Sequence, residues 1–500
     1  METIDIQSPL PPRPVAEPSP VPESPRTDIP TDDTSVSSPA PPTPPKKSLP
    51  RFLPFVIGGL ALLLVAFLVF KFLLPSLKNK NPETVTLTYW GLWERDEIIN
   101  GVIADFEAKY PHIKIKYIHS SKDDYRTRLA GRLAKGAGSG EVPDIFRIHS
   151  SWLPMFKNNL APVPAKVVSS LALDKDFLPV YRRDLMINQK YYAIPLMYDG
   201  LVLFYNKDLI QKAGVDLPKS WWDLQSSLNR LTVRDAAGNI EIAGAALGLA
   251  DNIDHWSDIL GLLLRQNGAS LTKNSQDNTA QISSALIYYT NFANKDRTWD
   301  ETLPSSTTLF AQGKLAFYFA PSWRIFDIQA LNPNLSFATA PVPQTPILTG
   351  GSGTDSVNLT NINWATYWVE AVNAQSPHQA EAWTFLEYLA SPPVLEKLYQ
   401  TASVDRGFGE IYPRTNLAAK LTTAPYLKAF VDSANTAQSG YLSSFTHDDG
   451  LNTELSNYFK DAINALTRNQ SGESEVMTAL QNGISQVISK YQLSDDILKP

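Results

Sequence analysis

The chain has 500 residues, with 44 lysine and arginine residues and 50 aspartate and glutamate residues, which gives a net charge of −6. This balance argues against a nucleic-acid partner, because phosphate binding needs a basic surface. It has no cysteine, which excludes disulfides and thiolate ligands, and its six histidines are scattered without an H-E-x-x-H motif. We therefore expect no metal site and no cofactor. About 420 residues follow the apolar segment at 52–74, and this length predicts two lobes rather than one core.

Residues 1–50 contain 15 of the chain's 38 prolines and no aromatic residue. A segment of this composition cannot bury enough apolar surface to offset the entropy lost on ordering. We expect a disordered, cytoplasmic, proline-rich tail. Its Pro41-Pro42 and Pro44-Pro45 pairs favour polyproline II, so the alternative to a solvated tail is a ligand for a partner's aromatic groove.

Residues 52–74 form a run of 23 residues with a single charge, Lys71. The run is long enough to cross a bilayer as a helix. A cleaved signal peptide has a shorter apolar core and a shorter leader, and no A-x-A site follows. A buried core helix is the other alternative. We predict a transmembrane helix at 52–74 and a linker at 75–83, and the basic residues that flank the helix are too evenly divided to orient it.

Strands and helices alternate in the sequence after this linker. Apolar and β-branched patterns predict strands at 85–90, 113–118 and 144–148, and periodic apolar positions predict helices at 98–110 and 125–135. Crossovers of this length favour a parallel sheet with flanking helices. Further strands are predicted within 191–206 and at 314–319, 335–340 and 363–369, with helices at 207–213 and 377–390.

Two local motifs suggest sites that their surroundings do not support. The glycine-rich loop at 136–140 lacks the Lys-Ser/Thr of a P-loop and the preceding strand of a dinucleotide site. Asp448-Asp449-Gly450 lacks the ligand spacing of a calcium loop. The first is interpreted as a loop that binds no phosphate, and the second as a turn.

The order of these segments resembles the family 1 extracellular solute-binding proteins, the maltose-binding-protein-like components of ABC sugar importers. The resemblance covers nearly all of residues 84–500. It is carried by TYWGLW, FEAKYPHIKIKY, GEVPDIFRI, YYAIPLMYDGLVLFYNKDLIQKAGVDLPKSWWDL, FAQGKLAFYFAPSW, FATAPVP and WVEAVNAQSPHQAEAWTFLEYLAS. The block at 191–224 is the most specific of these.

The resemblance implies an α/β fold with two lobes, of the type II periplasmic-binding-protein-like class, with a ligand held in the cleft between them. It places lobe 1 at 84–198 and 363–405 and lobe 2 at 199–362 and 406–500. The connecting segments fall near 196–200, 361–363 and 405–407. Closure of such a fold is a hinge motion absorbed by a few residues.

Ligands of open parallel sheets lie beyond the carboxyl ends of strands. A sugar presents an apolar face, which suits aromatic rings, and a rim of hydroxyls, which suits carboxylates, amides and arginine. These criteria and the resemblance give the candidate ligand-binding residues Trp90, Glu94, Ser151, Trp152, Tyr198, Asp199, Asn252, Trp256, Trp323, Arg324 and Trp364.

Each of these candidates has a structural alternative. For the tryptophans, the alternative to ligand contact is packing within a lobe. For Tyr198 and Asp199 the alternative is a role in a turn, and for Asn252 it is helix capping. Four other tryptophans are expected to lie in the core: Trp221, Trp222, Trp368 and Trp383.

The resemblance implies an extracytoplasmic domain that captures a sugar or oligosaccharide and delivers it to an ABC permease. The anchor at 52–74 is unusual for that family, and together with an extracytoplasmic domain it gives a single-pass membrane protein with its N-terminus in the cytoplasm. The expected partners are the ligand, the permease and the membrane. A ligand-sensing adaptor that signals through a partner is the first alternative. A glycoside hydrolase is the second, but no acidic pair lies in a recognisable motif, so we expect no enzyme and no catalytic residues.

Overall fold

The computed structural model describes residues 83–136, 142–273, 275–348 and 357–493, together with Leu64, Phe67 and Lys71. The predicted tail at 1–50 lies outside the described residues. So do the predicted transmembrane helix at 52–74 and the linker at 75–83, apart from those three residues and Glu83. Within the described ranges, no helix combines the length and apolarity needed to span a membrane. Residues 1–80 and 81–500 are two units, and every described strand lies in the second.

The strands of this second unit are short, and most of them lie in two mixed sheets. In chain order they are β1 Val85–Gly91, β2 Ile113–His119, β3 Ile145–His149, β4 Met186–Ile187, β5 Lys190–Tyr191, β6 Ile194–Pro195, β7 Gly200–Asn206, β8 Val233–Arg234, β9 Ile240–Ala245, β10 Leu315–Ala320, β11 Phe337–Ala340, β12 Pro346–Leu348, β13 Val357–Leu359, β14 Asn363–Ala365, β15 Trp368–Val372 and β16 Ala437–Gln438.

The α-helices cover the sheets and make up most of the C-terminal part. They are α1 Asp96–Lys109, α2 Tyr125–Lys135, α3 Leu153–Phe156, α4 Ala165–Leu171, α5 Leu173–Asp176, α6 Pro179–Asp184, α7 Lys207–Ala213, α8 Trp221–Leu231, α9 Trp256–Gln266, α10 Gln276–Asn294, α11 Ser306–Ala311, α12 Arg324–Leu331, α13 Gln379–Leu389, α14 Pro392–Arg406, α15 Thr415–Ala418, α16 Lys428–Ala434, α17 Leu451–Thr467 and α18 Glu473–Tyr491.

The first sheet has the order β2-β1-β3-β15-β6. Strand β1 runs parallel to β2 and β3, as the alternating strands and helices predict, whereas β15 returns antiparallel to both β3 and β6. Every residue of β3 is buried. Helix α1 buries the predicted stripe that contains Val102 and Phe106. The carboxyl ends of β1 and β3 therefore meet at one edge of a covered sheet.

The second sheet has the order β16-β14-β7-β10-β9-β8, and β11 also pairs with β7. Strand β10 is buried at all six positions and lies parallel to β9 and antiparallel to β7. The two-lobed α/β architecture inferred from the sequence is confirmed.

The chain passes between the two sheets at least twice. It leaves the first sheet after β6 and enters the second at Gly200, within the segment expected from the resemblance. It returns at residues 366–367, because β14 still pairs with β7, whereas the resemblance places this connection at 361–363. The predicted single strand at 363–369 is accordingly two strands. The lobe boundaries themselves stay a prediction.

The start of helix α8 is determined by a capping motif in its sequence. Ser220 accepts a hydrogen bond from the backbone N–H of Asp223, and the Asp223 carboxylate accepts one from Ser220, which forms a capping box. Trp221 is buried, as expected, and so is Trp383 in α13. The core prediction for Trp222 is wrong: its side chain is 54% exposed because it lies off the buried stripe of α8.

Candidate ligand-binding site

Aromatic side chains gather at the carboxyl ends of the first sheet. The ring of Trp368, at the start of β15, lies 5.4 Å from that of Trp93 and 5.3 Å from those of His149 and Trp152, in each case edge to face. Trp93 and Trp368 are partly exposed, whereas Trp152 is fully buried. We call Trp93, His149, Trp152 and Trp368 the first aromatic cluster. It presents two indole rings to solvent above a buried base.

A buried ion-pair network lies beneath this cluster. Arg147 in β3 donates to Glu370 in β15 at 2.6 Å and pairs with Glu94, which follows β1. Burial raises the pKa of Glu370, against the lowering effect of Arg147. A crevice of about 30 Å³ adjoins Trp93, Glu94 and Arg147. That volume is about a tenth of the roughly 300 Å³ at the lower end of small-molecule pockets, so the crevice is too small for a sugar ring in this conformation.

A second group forms at the carboxyl end of β10. The Trp323 ring lies 5.6 Å from that of His255 and 5.4 Å from that of Phe445. The Arg324 guanidinium lies over Trp323 at 4.2 Å and over Phe445 at 4.7 Å. We call His255, Trp323, Arg324 and Phe445 the second aromatic cluster. Asp254 accepts hydrogen bonds from Thr307, which orders the turn before α9.

One loop contacts both clusters. In residues 443–450, which we call the bridging loop, Phe445 belongs to the second cluster and the His447 ring lies 6.5 Å from Trp93. Phe445, His447 and Asp449 all have positive φ, which is costly for residues other than glycine. The buried Asp448 side chain accepts hydrogen bonds from Asn452 and Thr453, which fixes the end of the loop. The loop therefore joins the edges of the two sheets.

Direct hydrogen bonds also connect the two sides. Asn452, at the start of α17, donates to Ser151 Oγ at 2.7 Å, and Ser151 Oγ lies 2.7 Å from His149 Nδ1. Burial lowers the pKa of His149 to about 4, so its imidazole is neutral at neutral pH. These contacts hold the C-terminal helical part against the first sheet.

Tyr198 and Asp199 lie where the chain passes from the first sheet to the second. The Asp199 carboxylate accepts from Gly200 N–H at 2.7 Å and from the Ser322 hydroxyl at 2.8 Å. Burial raises the pKa of Asp199 to about 7, although these hydrogen bonds oppose the shift. Tyr198 is buried and bridges to Ile411. The Asp199 side chain therefore already has protein partners, and Tyr198 is held through its backbone.

The predicted site residues divide between cleft and interior. Trp152 belongs to the first cluster, and Trp323 and Arg324 belong to the second. Ser151 contacts His149 of the first cluster, and Glu94 pairs with Arg147 beneath it. Trp364 is buried in β14 of the second sheet, and its indole N–H donates to Asp258 at 2.9 Å. The Asn252 side chain donates to the backbone oxygens of Asp300 and Leu303 and accepts from the indole N–H of Trp299, so its hydrogen bonds stabilise the loop at 299–303.

Trp256 and Trp90 are the last two of the predicted site residues. Trp256 begins α9 and packs partly against the core, and Trp90 is 8% exposed and lies 6.3 Å from Tyr125. The ligand-binding role of the whole predicted set stays a prediction. Within the described ranges, no three histidine or acidic side chains are arranged to hold a metal ion.

Comparison with known sequences decides the family. The profile of the bacterial extracellular solute-binding proteins matches residues 91–396. The chain belongs to this family. A multiple sugar-binding protein of Streptococcus mutans is 22% identical over 63% of this chain and 74% of its own length. An uncharacterised ABC transporter extracellular-binding protein of Pyrococcus horikoshii is 22% identical over 54% of this chain, and the match spans 62% of that relative, less than two thirds.

The sugar-binding protein MalE of Xanthomonas citri has a similar fold, with a TM-score of 0.65 at 18% identity. The match covers 82% of this chain and 98% of that one. At this identity the similarity concerns the fold alone.

Sequence reasoning missed several side chains in the two aromatic clusters and the bridging loop of this solute-binding protein. They are Trp93, His149, His255, Trp368, Phe445 and His447. Trp93 follows a strand end in the motif TYWGLW, so its position was a usable signal. Trp368 was expected in the core but is partly exposed, because it is the first residue of β15 at the sheet edge. Phe445 and His447 lie in an irregular loop with no periodic pattern.

Proposed function

We propose that this protein is a membrane-tethered receptor outside the cytoplasm that holds a neutral sugar or oligosaccharide between its two lobes and delivers it to an ABC permease. The observation that carries the proposal is the pair of aromatic clusters. They place partly exposed rings from both sheets, Trp93 and Trp368 on one side and Trp323 and Phe445 on the other, next to polar side chains.

The chemistry of these groups suits a neutral saccharide. Indole and phenyl rings match the C–H face of a sugar, and edge-to-face partners hold the rings in place. The arginines near the clusters already pair with carboxylates. Arg147, beneath the first cluster, pairs with Glu94 and Glu370, and Arg324, in the second, pairs with Asp327 at 2.9 Å. An anionic ligand would therefore compete with carboxylates that are already in place, whereas hydroxyls can use the remaining donors and acceptors.

Ligand entry requires the lobes to separate. The crevice next to the first cluster is too small for a sugar ring, and Asn452 and Ser151 close the cleft through a direct hydrogen bond. Two-lobed binding proteins open by hinge motion. The bridging loop and the segments that pass between the sheets are the elements that would move.

The membrane anchor is part of the proposal and rests on the apolar run at 52–74. The nine residues of the predicted linker span at most about 30 Å when extended. A tether of that reach would keep the binding unit near a permease in the same membrane and raise its effective concentration. The adaptor and hydrolase alternatives have no specific support among the described residues.

The test is thermal unfolding and tryptophan fluorescence of the full chain in detergent. The panel should include neutral mono- and oligosaccharides, polyols and phosphorylated sugars. A neutral sugar at about 100 times its Kd should stabilise the fold by roughly 2.7 kcal/mol and be recovered unchanged. Trp323→Ala should weaken this binding, whereas Trp222→Ala, at an exposed position outside both clusters, should not.

No stabilisation by any neutral saccharide would refute the assignment. Conversion of the sugar to a product would replace it with a hydrolase.

A further inference from the structure

The contact between Arg324 and His255 determines which nitrogen of His255 carries the proton. Arg324 Nε lies 3.0 Å from His255 Nε2. An arginine side chain has only donors and stays protonated, so His255 Nε2 must accept with its lone pair. The imidazole is then neutral, with its proton on Nδ1.

The other ring nitrogen continues a chain of hydrogen bonds into the interior. His255 Nδ1 lies 2.8 Å from Ser444 Oγ, and the Ser444 hydroxyl in turn contacts Asp258. Since Nδ1 carries the proton, it donates to Ser444, and Ser444 donates to the Asp258 carboxylate. Trp364 donates to the other oxygen of Asp258. Donation thus runs in one direction, from Arg324 at the cleft to Asp258 in the interior.

This chain fixes Arg324 in the second aromatic cluster. The Arg324 side chain is 12% exposed and its guanidinium lies over both Trp323 and Phe445. Its Nη atoms contact Asp327 at 2.9 Å and Asp254 at 3.9 Å. The Nε contact with His255 is therefore the one that ties the guanidinium to the fully buried side of the cluster.

We propose that neutral His255 is a positioning residue that holds Arg324 for ligand recognition, and that protonation of His255 releases Arg324 and weakens ligand binding at acidic pH. The inference rests on the proposed sugar-binding function. His255 itself is completely buried and does not reach the ligand.

The groups around His255 agree with a neutral imidazole at neutral pH. Burial lowers the pKa of His255, and the positive charge of Arg324 lowers it further. The carboxylates of Asp258 and Asp254 act in the opposite direction. From β10, the Tyr318 ring faces His255 at 6.3 Å, and burial raises the pKa of that phenol, so it is uncharged. A histidine with a lowered pKa contributes stability that declines as pH falls below the unfolded value of about 6.5.

The first experiment needs no ligand. The Tm of the full chain in detergent is measured for the wild type, His255→Leu, Arg324→Met and the double variant at pH 7.5 and 5.0. If the contact exists, the double variant loses less Tm than the sum of the single variants at pH 7.5, and the losses approach additivity at pH 5.0. Additive losses at pH 7.5 would overturn the positioning contact.

The second experiment measures the Kd of the sugar that binds best in the panel, between pH 5.0 and 8.0. The wild type should lose affinity on acidification, because protonation of His255 removes the lone pair that accepts from Arg324 Nε. His255→Gln does not titrate, so its Kd should change little between pH 5.0 and 8.0, whatever its value at pH 7.5. His378→Gln, next to α13 and outside the cleft, is the matched control and should follow the wild type.

A flat wild-type profile, or a His255→Gln profile as steep as that of the wild type, would overturn the proposal. If no sugar in the panel binds, the proposed function fails, and the ligand-free Tm cycle still decides whether His255 positions Arg324.

Discussion

Asp199 accepts hydrogen bonds from both the backbone N–H and the hydroxyl of Ser322, at 3.0 and 2.8 Å. Asp199 lies where the chain enters the second sheet, and Ser322 lies just before Trp323. One buried carboxyl group therefore ties a connection between the sheets to the turn that carries the second aromatic cluster.

Replacing this carboxyl with an amide should change how stability depends on pH. Burial raises the pKa of Asp199 to about 7, and Glu410 adds to the shift. Because the folded state holds the proton more tightly than the unfolded state, the stabilising contribution is present below about pH 3.9 and declines as pH rises towards 7. Asp199→Asn removes this decline, so its unfolding free energy relative to the wild type should rise between pH 4 and 8.

The expected gain is at most on the order of 4 kcal/mol, from about three pKa units. Urea unfolding at pH 4, 6 and 8 measures it. Asp432→Asn is the control, since Asp432 pairs with Lys428 at the surface and should follow the wild type. A constant difference between Asp199→Asn and the wild type at all three pH values would show that Asp199 titrates normally.

The buried network of Arg147 should be costly to break. Arg147→Met leaves Glu370 without its cation in a position that is 0% exposed, and losing one partner of a buried pair costs about 3–5 kcal/mol. Adding Glu370→Gln removes the stranded charge and should recover part of the loss. Urea unfolding of the single and double variants measures both effects.

The surface pair of Lys428 and Asp432 offers a comparison for this network. Lys428→Met should cost less than about 1 kcal/mol because exposed pairs contribute little. Equal costs for Arg147→Met and Lys428→Met would contradict the importance of the buried network.

The Trp364 ring packs so closely against α9 that position 261 has no room for a side chain. A Cβ atom at Gly261 would lie 2.5 Å from Trp364 Cη2, closer than atoms can approach. Gly261→Ala should therefore destabilise the fold by about 1–3 kcal/mol through overpacking.

Gly131 in α2 is the matched control, since a Cβ there meets no atom within 4 Å. Gly131→Ala should stabilise the helix by about 0.5–1 kcal/mol. Thermal and urea unfolding of both variants measures the contrast, and a stabilising Gly261→Ala would show that α9 or Trp364 shifts freely.

Trp93 provides a test of ligand contact from the first sheet. Its ring is partly exposed and held edge to face by Trp368. Trp93→Ala should raise the Kd for the bound sugar about tenfold or more, since the stacking surface is lost. Isothermal titration measures the change with Trp222→Ala as control, and an unchanged Kd would place the ligand away from the first cluster.

The regular elements around the site were largely predictable. Helix α2 begins and ends at the predicted residues, and β1 and β3 lie within one residue of prediction, because their periodic apolar positions depend only on local sequence. Trp364 and Trp368 show the limit. Both were placed on one predicted strand, but the chain changes sheets between them, so Trp364 is buried and Trp368 reaches the cleft.

The sequence by itself determined the apolar run at 52–74 and the order of strands and helices, since these depend on composition and local periodicity. Chain length and the family resemblance predicted the two-lobed class. Only the tertiary structure decided which aromatic rings share a site, and that Asp199, Asp258 and His255 are held by distant partners. These contacts join residues far apart in the chain, such as Ser151 with Asn452 and His255 with Ser444, and no local pattern encodes them. Their geometry arises only when both sheets and the bridging loop pack together.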